Sequence, residues 1–384
     1  MTKKLYDDNG YQKDFTATVT NCEAIIDAYR VFLDQTAFFP EGGGQAGDSG
    51  FLNDCEVLDT REENGLIWHC TKQPIEPGTQ VTGHIDWKKR FDRMQQHSGE
   101  HIVSGLVHKH FHYNNVGFHL GETEVTLDFD GPITKKELAE IEQEANQAIW
   151  DNLPIEITYP SKKELTELNY RSKIEIEGQV RIVTIPGIDI CACCAPHVNR
   201  TGEIGLIKLT SVQSHRGGVR VHLSAGARAL TDYREKETQV KAISALLSAK
   251  EEDTSKAVER LKEENYSLIG KILQLQKALI MQKAATVPDR SKNVIFFEQD
   301  LDPNTAREFV NLLTKRCSGT ACVFVGSDET GYRYILGSAH ADVRPLCQSL
   351  NQTFHGKGGG KPEMVQGSLH GTQKEIRSHI ASLD

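Results

Sequence analysis

His97 and His101 stand four residues apart in a run where Ile102, Val103, Leu106 and Val107 recur at helical spacing. Both imidazoles therefore project from one face of a predicted helix, one turn apart, which is how a helix offers two nitrogen ligands to a metal ion. Glu100 precedes the second histidine instead of following the first, so the run is not the His-Glu-x-x-His of metalloproteases. Such a pair alone is more often a hydrogen-bonded surface pair than a metal site. A second pair changes the balance: Cys193 and His197 stand at Cys-x-x-x-His spacing in Cys191-Ala-Cys-Cys-Ala-Pro-His197. Three imidazoles and a thiolate suit zinc, so one Zn2+ per chain is expected on His97, His101, Cys193 and His197. Cys191 and Cys194 flank Cys193, and spacing leaves either open as the thiolate. Four protein donors fill a tetrahedral shell, so the sequence leaves open whether the ion generates the nucleophile or only positions a substrate. No catalytic side chain beyond the zinc centre is assigned.

Two glycine-rich segments accompany these pairs. In residues 36–50, Gly42, Gly44 and Gly47 formally spell Gly-x-Gly-x-x-Gly, but a turn into another strand follows where a dinucleotide-binding fold needs a helix. Glycines there let backbone approach a ligand or adopt positive φ. Near the C-terminus, Lys357, Gly358, Gly359, Gly360 and Lys361 combine backbone N–H groups with two cations, a combination that suits phosphate; a mobile surface loop is the plainer alternative.

The elements that must position these residues fall into four segments of a 384-residue chain. Residues 1–90 contain short β-branched and aromatic runs at 15–20, 24–33, 65–70 and 80–87, separated by turn residues, and predict a small β-barrel. Residues 91–231 predict an α+β zinc-containing domain. It holds the histidine helix, a strand at 125–130, and a helix capped by Thr134 and Glu137 with Leu138, Ile141, Ala145 and Ile149 on its apolar face. A strand at 155–159, a polar helix near 161–170 and a strand at 180–185 follow, the last delivering Cys193 and His197 on a loop. Residues 232–287 form a helical linker. Val258, Leu261, Asn265, Leu268, Ile272, Leu275 and Leu279 alternate in steps of three and four, a seam that either packs within the chain or dimerises. Residues 288–384 predict an α/β domain, with strands at 294–297, 321–325 and 332–336 and helices near 303–316, 342–352 and 372–382.

Nine cysteines without an even framework suit a reducing compartment, and neither a membrane span nor a signal-peptide core is evident, so a cytoplasmic protein is expected. A net charge of −9 argues against coating nucleic acid by bulk charge. Residues 205–231, however, hold no carboxylate while Lys208, Arg216, Arg220, Arg228, His215 and His222 accumulate. A hairpin with ordinary surface charge and a phosphate-contacting face are equally compatible with that run.

Five motifs occur in order: Phe39-Pro-Glu-Gly-Gly-Gly-Gln-Ala-Gly-Asp-Ser-Gly50, His97-x-x-x-His101, Cys193-x-x-x-His197-Val198, Thr201-Gly-Glu-Ile-Gly205 and Gly358-Gly-Gly-Lys-Pro-Glu-Met364. Over nearly the whole chain the sequence resembles alanyl-tRNA editing proteins of the AlaX type, in the long form that carries the DHHA1-type C-terminal domain shared with alanyl-tRNA synthetases. The resemblance implies a zinc-dependent, ATP-independent deacylase that hydrolyses mischarged tRNA(Ala), chiefly the seryl form with the glycyl form second. With no aminoacylation domain ahead of the barrel, it implies action in trans. It also implies that Gly42, Gly43, Gly44, Gln45, Asp48 and His119 contact the substrate, that Lys357, Gly358, Gly359, Gly360 and Lys361 contact tRNA, and that a homodimer forms through the linker and C-terminal domain. Where the family often has Gly-Thr or Gly-Gly-Thr before the second histidine, this chain has Ala195-Pro196, which removes a hydroxyl and a backbone donor. Two other readings stay open: a zinc-stabilised tRNA-binding module without catalysis, and the same chemistry directed at another misacylated tRNA.

Overall fold

A computed structural model describes residues 2–172 and 178–383, and the protein is a multidomain α+β chain. It divides into two compact units, residues 1–240 and 241–384. No helix among the described residues is long and apolar enough to cross a membrane.

In the first unit, six strands pair antiparallel in a closed ring: β1 (Asp14–Ile25), β2 (Ala28–Leu33), β3 (Gly50–Leu52), β4 (Cys55–Glu63), β5 (Leu66–Thr71) and β6 (Gln80–Ile85), in the order β1-β2-β5-β4-β3-β6. Alternation of apolar and polar residues drives this, since successive side chains on a strand point to opposite faces. Phe15, Ala17, Val19, Val31, Leu33, Leu52, Val57 and Val81 all turn into one core. The run at 24–33, expected as one strand, is a hairpin: Ile25 pairs with Ala28, and Asp27 between them takes a positive φ of 58°.

The histidine helix, α1 (Trp87–Phe111), follows directly, started by the Asp86 carboxylate accepting from the Lys89 amide and stopped by His112 in the left-handed conformation. Beyond it, β7 (Asn115–Leu120), β8 (Val125–Phe129), α2 (Lys135–Trp150), β9 (Glu156–Thr158), α3 (Lys162–Glu167), β10 (Ile182–Ile185), β11 (Asp189–Ala192), β12 (Ile207–His215) and β13 (Gly218–Ala225) complete the unit. The Thr134–Glu137 capping box is formed, and the predicted apolar face of α2 is buried. Strands β12-β13-β8-β7 make an antiparallel sheet, β9-β10-β11 a smaller one. Val125, Leu127, Phe129, Val221 and Leu223 meet Ile102, Val103, Leu106 and Val107 of α1 in one core. The carboxylate-free stretch is the β12–β13 hairpin and the start of the helix that follows it, and carboxylates from other elements pair with its charges. Arg220 binds Asp128 with two bonds of 2.7 Å, Arg228 binds Asp92, Lys208 binds Glu142 and His222 binds Glu124.

Helix α4 (Gly226–Leu247) leads out of the first unit. In the second, α5 (Thr254–Ala285) precedes β14 (Val294–Glu298), α6 (Pro303–Thr314), β15 (Ala321–Ser327), β16 (Gly331–Gly337), α7 (Arg344–Thr353), β17 (Lys357–Lys361), β18 (Met364–Leu369) and α8 (Gln373–Ser382). The five-stranded sheet runs β14-β15-β16-β18-β17, with β14 parallel to β15 and every other pair antiparallel. Residues 357–361, for which a phosphate-cradling loop or a mobile loop was the expectation, are therefore an extended edge strand. Their glycines let it pack closely: a Cβ on Gly358 would stand 2.3 Å from the Tyr334 hydroxyl.

Candidate metal centre

The four residues singled out by spacing come together. One ligand atom from each of His97, His101, Cys193 and His197 lies within 4.8 Å of every other. The three imidazole rings surround a common point, with centroid separations of 4.8 to 5.5 Å. A tetrahedral zinc shell sets its donors roughly 3.3–3.7 Å apart, and Cys193 Sγ stands 3.5 Å from His97 Nε2. Cys191 lies instead beside His101 and Asp189. Cys194 is exposed, with its sulfur against Gly42 and Gly43. The thiol that joins the three imidazoles is Cys193.

The two histidines of α1 are each aimed by a neighbour. The Nδ1 of His97 donates to Gln45 Oε1 at 3.0 Å, and that of His101 donates to Asp189 Oδ2 at 2.8 Å, so both Nε2 lone pairs face the cluster. Asp189 is itself held by Arg171 through bonds of 2.7 and 2.8 Å. Helix α1 approaches this hairpin closely because position 105 is glycine; a Cβ there would stand 2.5 Å from the Ile188 carbonyl oxygen. The ligand loop begins immediately after β11, so β10 is separated from Cys193 by a hairpin that also supplies Asp189. Arg181 donates to the carbonyls of Cys193 and Ala195 at 2.8 and 3.0 Å, fixing the loop. The Ser98 hydroxyl accepts from the Val198 amide at 3.2 Å and pins the loop to α1 just past His197.

The donor chemistry fits a zinc-type ion. His101 Nε2 and both ring nitrogens of His197 are buried without a hydrogen-bond partner among the described residues, a costly arrangement for polar atoms; an ion would take up His101 Nε2 and one of the two His197 nitrogens. Burial alone would push the Cys193 thiol up, but the facing His97, His197 and His101 hold it well below the usual thiol range, favouring the thiolate. Burial lowers His197 to about 3, keeping it the neutral imidazole that ligation needs.

The glycine loop forms the adjoining wall. Gly42, Gly43, Gly44, Gln45 and His119 line one pocket of about 530 Å³, together with Glu41, Arg61 and Glu62. Gly43 and Gly44 have φ of +61° and +83°, and a Cβ on Gly44 would stand 2.7 Å from the Phe118 carbonyl oxygen. The loop is sewn to β7 by the Leu120 amide donating to the Gly44 carbonyl at 3.0 Å. Asp48 does not line this pocket. Its fully buried carboxylate accepts from the Phe39 amide at 2.7 Å and from Arg90 Nε at 2.8 Å, tying the loop to α1.

Sequence reasoning missed Asp189, Arg171, Arg181 and Ser98, and it did not foresee that Gln45 touches a ligand. None of them carries a spacing signal. Each acts through a partner 12 to 100 residues away in the chain, as the Arg181–Cys193 and Ser98–Val198 bonds illustrate.

Comparison with known proteins agrees with this layout. Residues 6–89 match the family model described as tRNA synthetases class II (A), residues 180–221 that of the threonyl and alanyl tRNA synthetase second additional domain, and residues 290–382 that of the DHHA1 domain. The chain is 29% identical over 399 residues to the alanyl-tRNA editing protein Aarsd1 of Rattus norvegicus, covering 98% of this chain and 95% of that protein. It is 27% identical over 407 residues to the alanyl-tRNA editing protein AlaX-L of Pyrococcus horikoshii, covering 99% and 100%. The chain is a long-form homologue of the alanyl-tRNA editing proteins. It is also 29% identical over 376 residues to the alanine–tRNA ligase of Ignicoccus hospitalis, but covers only 40% of that longer protein. The donor cluster and glycine pocket lie within the first unit, whose residues 180–221 match the second additional domain.

Proposed function

We propose that the first unit hydrolyses the ester between tRNA(Ala) and a non-cognate amino acid, chiefly serine and secondarily glycine, with zinc held by His97, His101, Cys193 and His197. The observation that carries this is the convergence of four donors, joined to the glycine pocket by Gln45, which lines that pocket and bonds His97. The names of the relatives supply the substrate class. When bound, the ion would serve as a Lewis acid near the ester carbonyl.

The protein's own groups do the rest. Gln45 and Asp189 fix the tautomers of His97 and His101, while Arg181 sets the Cys193–His197 loop. Any aminoacyl ester carries an ammonium group, and Glu41 and Glu62, paired here with Arg61 and Lys4, are the pocket carboxylates that would exchange partners to meet it. The loop's backbone and His119 face the amino-acid side chain. A site that hydrogen-bonds the serine hydroxyl can disfavour alanine by on the order of 10⁴, because its polar groups lose their partner when the hydroxyl is missing.

In the second unit, we read the exposed edge strand β17 as the tRNA contact, through Lys357, Lys361 and the backbone of Gly358, Gly359 and Gly360. Neither lysine has an ion-pair partner among the described residues, and two free cations suit a transient, salt-sensitive encounter. We read the α5 seam as a homodimer contact: Val258, Leu261, Leu268, Ile272, Leu275 and Leu279 are 41–70% exposed, an apolar stripe of this length that a second helix would cover. The six-stranded ring we take as the small barrel of this editing architecture.

A four-donor shell also suits a purely structural ion, so the decisive assay follows deacylation of seryl-, glycyl- and alanyl-tRNA(Ala) with and without a zinc chelator. The expected result is loss of the seryl ester, sparing of the alanyl ester, and inhibition by chelator. If no mischarged tRNA(Ala) is cleaved while tRNA still binds, the structural reading replaces the catalytic one.

A further inference from the structure

Gln45 is 1% exposed, and the two ends of its amide are treated differently. Oε1 receives the His97 Nδ1–H, whereas Nε2 is buried with no hydrogen-bond partner among the described residues. Chemistry fixes this orientation. His97 presents Nε2 to the donor cluster, so its Nδ1 carries the proton and must meet an acceptor; the amide oxygen is the end that can accept. By elimination the NH2 group is the one left over. Burying an amide donor without an acceptor is unfavourable, and native proteins rarely tolerate it outside functional sites.

The loop keeps Gln45 from relaxing away. Its own amide and carbonyl are paired with Gly42 at 3.0 Å each, and the neighbouring Gly44 carbonyl is bonded to Leu120. The side chain therefore enters from a backbone clamped on both sides and is held at its tip by a metal-ligand histidine. Gln45 bonds His97 and also lines the glycine pocket, so its amide stands between that pocket and the donor cluster, where the deacylase reading puts the ester carbon. The amino-acid side chain, in contrast, would extend from that carbon into the glycine pocket.

We propose that Gln45 Nε2–H donates to the ester carbonyl oxygen of the bound aminoacyl-tRNA and to the oxyanion that oxygen becomes, while Oε1 holds His97 in its ligating tautomer. The role rests on the deacylase reading above. In the reaction, water oxygen bonds to the carbonyl carbon and releases a proton, and the carbonyl π pair moves onto the oxygen facing Gln45. The pair then returns as the bond to the ribose oxygen breaks, and that oxygen takes up a proton, leaving a free amino acid and a tRNA hydroxyl. A preorganised donor aimed at the developing oxyanion stabilises the transition state more than the ground state.

Gln45→Glu tests this directly, because a carboxylate keeps an acceptor for His97 Nδ1–H and removes the donor. Measured with the full-length zinc-loaded chain, Gln45→Glu should retain one zinc and bind deacylated tRNA(Ala) as the parent does. Its kcat on seryl-tRNA(Ala) should fall about 10²–10³-fold with little change in KM. Gln45→Leu, which removes both ends, should in addition lose roughly 10–100-fold in zinc affinity. Wild-type turnover by Gln45→Glu overturns the donor role, and so does loss of zinc from that variant, since the two ends would then not act separately. A wild-type protein that cleaves no mischarged tRNA(Ala) removes the deacylase reading and this role together, and that result is seen before any variant is made.

Discussion

Gly42–Gly44 and Gly358–Gly360 are both runs of three glycines, and they fold in opposite ways. In the first unit the glycines form a turn with two left-handed residues, stitched between two neighbouring backbones, whose next residue reaches a histidine of the donor cluster. In the second unit they form an extended strand at the open edge of a sheet, paired to one neighbour and exposed along its length. The missing side chain serves different ends: at Gly44 it permits a backbone conformation and a close approach, and at Gly358 it permits a tyrosine to pack beneath the strand. A glycine run marks a place where backbone comes close to something, and only the fold decides what that is.

Adding one methyl group should separate the two segments most. Gly44→Ala puts a Cβ at positive φ against the Phe118 carbonyl, so a loss of about 2–4 kcal/mol is expected from strain and overpacking together. Seryl-tRNA(Ala) hydrolysis should fall with it; urea denaturation and a deacylation assay check both. Gly359→Ala meets nothing within 4 Å, and stability should stay within about 0.5 kcal/mol. If both variants are equally stable, the contrast between turn and edge strand is wrong.

Acid should distinguish the units next. His69 lies inside the ring, bonded to Thr36 and the Val31 carbonyl, and burial lowers it to about 4 from 6.5. Its folded pKa is depressed, so the unfolded chain binds more protons in between, and stability present above pH 6.5 is lost as pH falls toward 4. The loss should reach about 2 kcal/mol by pH 5 and about 3 kcal/mol by pH 4. In His69→Leu the variant should be weaker at neutral pH, because Thr36 loses its partner, yet its stability should fall less between pH 7 and 5.

The support around His101 should matter for metal as well as for folding, since Asp189 also pairs with Arg171. Asp189→Asn weakens the acceptor that orients His101 and leaves Arg171 without its counter-charge, and zinc affinity should drop roughly 10–100-fold, read by competition with a chromophoric chelator. The smallest effects belong to the edge strand. Lys357→Ala and Lys361→Ala should each lower the slope of log affinity for tRNA against log salt by about 1 without changing zinc content. An unchanged slope would move the RNA contact away from β17.

Much of this was legible before any coordinates. The helix bearing His97 and His101, the capping box at Thr134, the break between two helices near residue 250 and three strands of the C-terminal sheet follow from local periodicity, because each is set by which residues must leave water along one element. The pairing of His97, His101, Cys193 and His197 was legible for a different reason: ligand chemistry restricts the residue types, so two short spacings suffice to suggest a set. Partnerships across the chain were not. Gln45 was expected only as a substrate contact, and Asp189 and Arg171 carried no expectation, until folding set Gln45 against His97, Asp189 against His101 and Arg171 against Asp189. Likewise the cations of residues 205–231, compatible in sequence with ordinary surface charge or a phosphate-contacting face, are mostly paired to carboxylates brought from other elements.

What the sequence determined by itself was the inventory: which groups can bind a metal, where backbone must bend or pack without a side chain, and which stretches are helix or strand. Those properties are local, fixed by side-chain type and spacing. What the tertiary structure alone decided was the state of each group. A histidine is poised as a ligand, with one lone pair free, because an amide or carboxylate from a distant segment takes its other nitrogen, and the thiolate of Cys193 is favoured because three imidazoles face it. Both depend on distances of a few ångströms between residues far apart in the chain, and no local pattern encodes them.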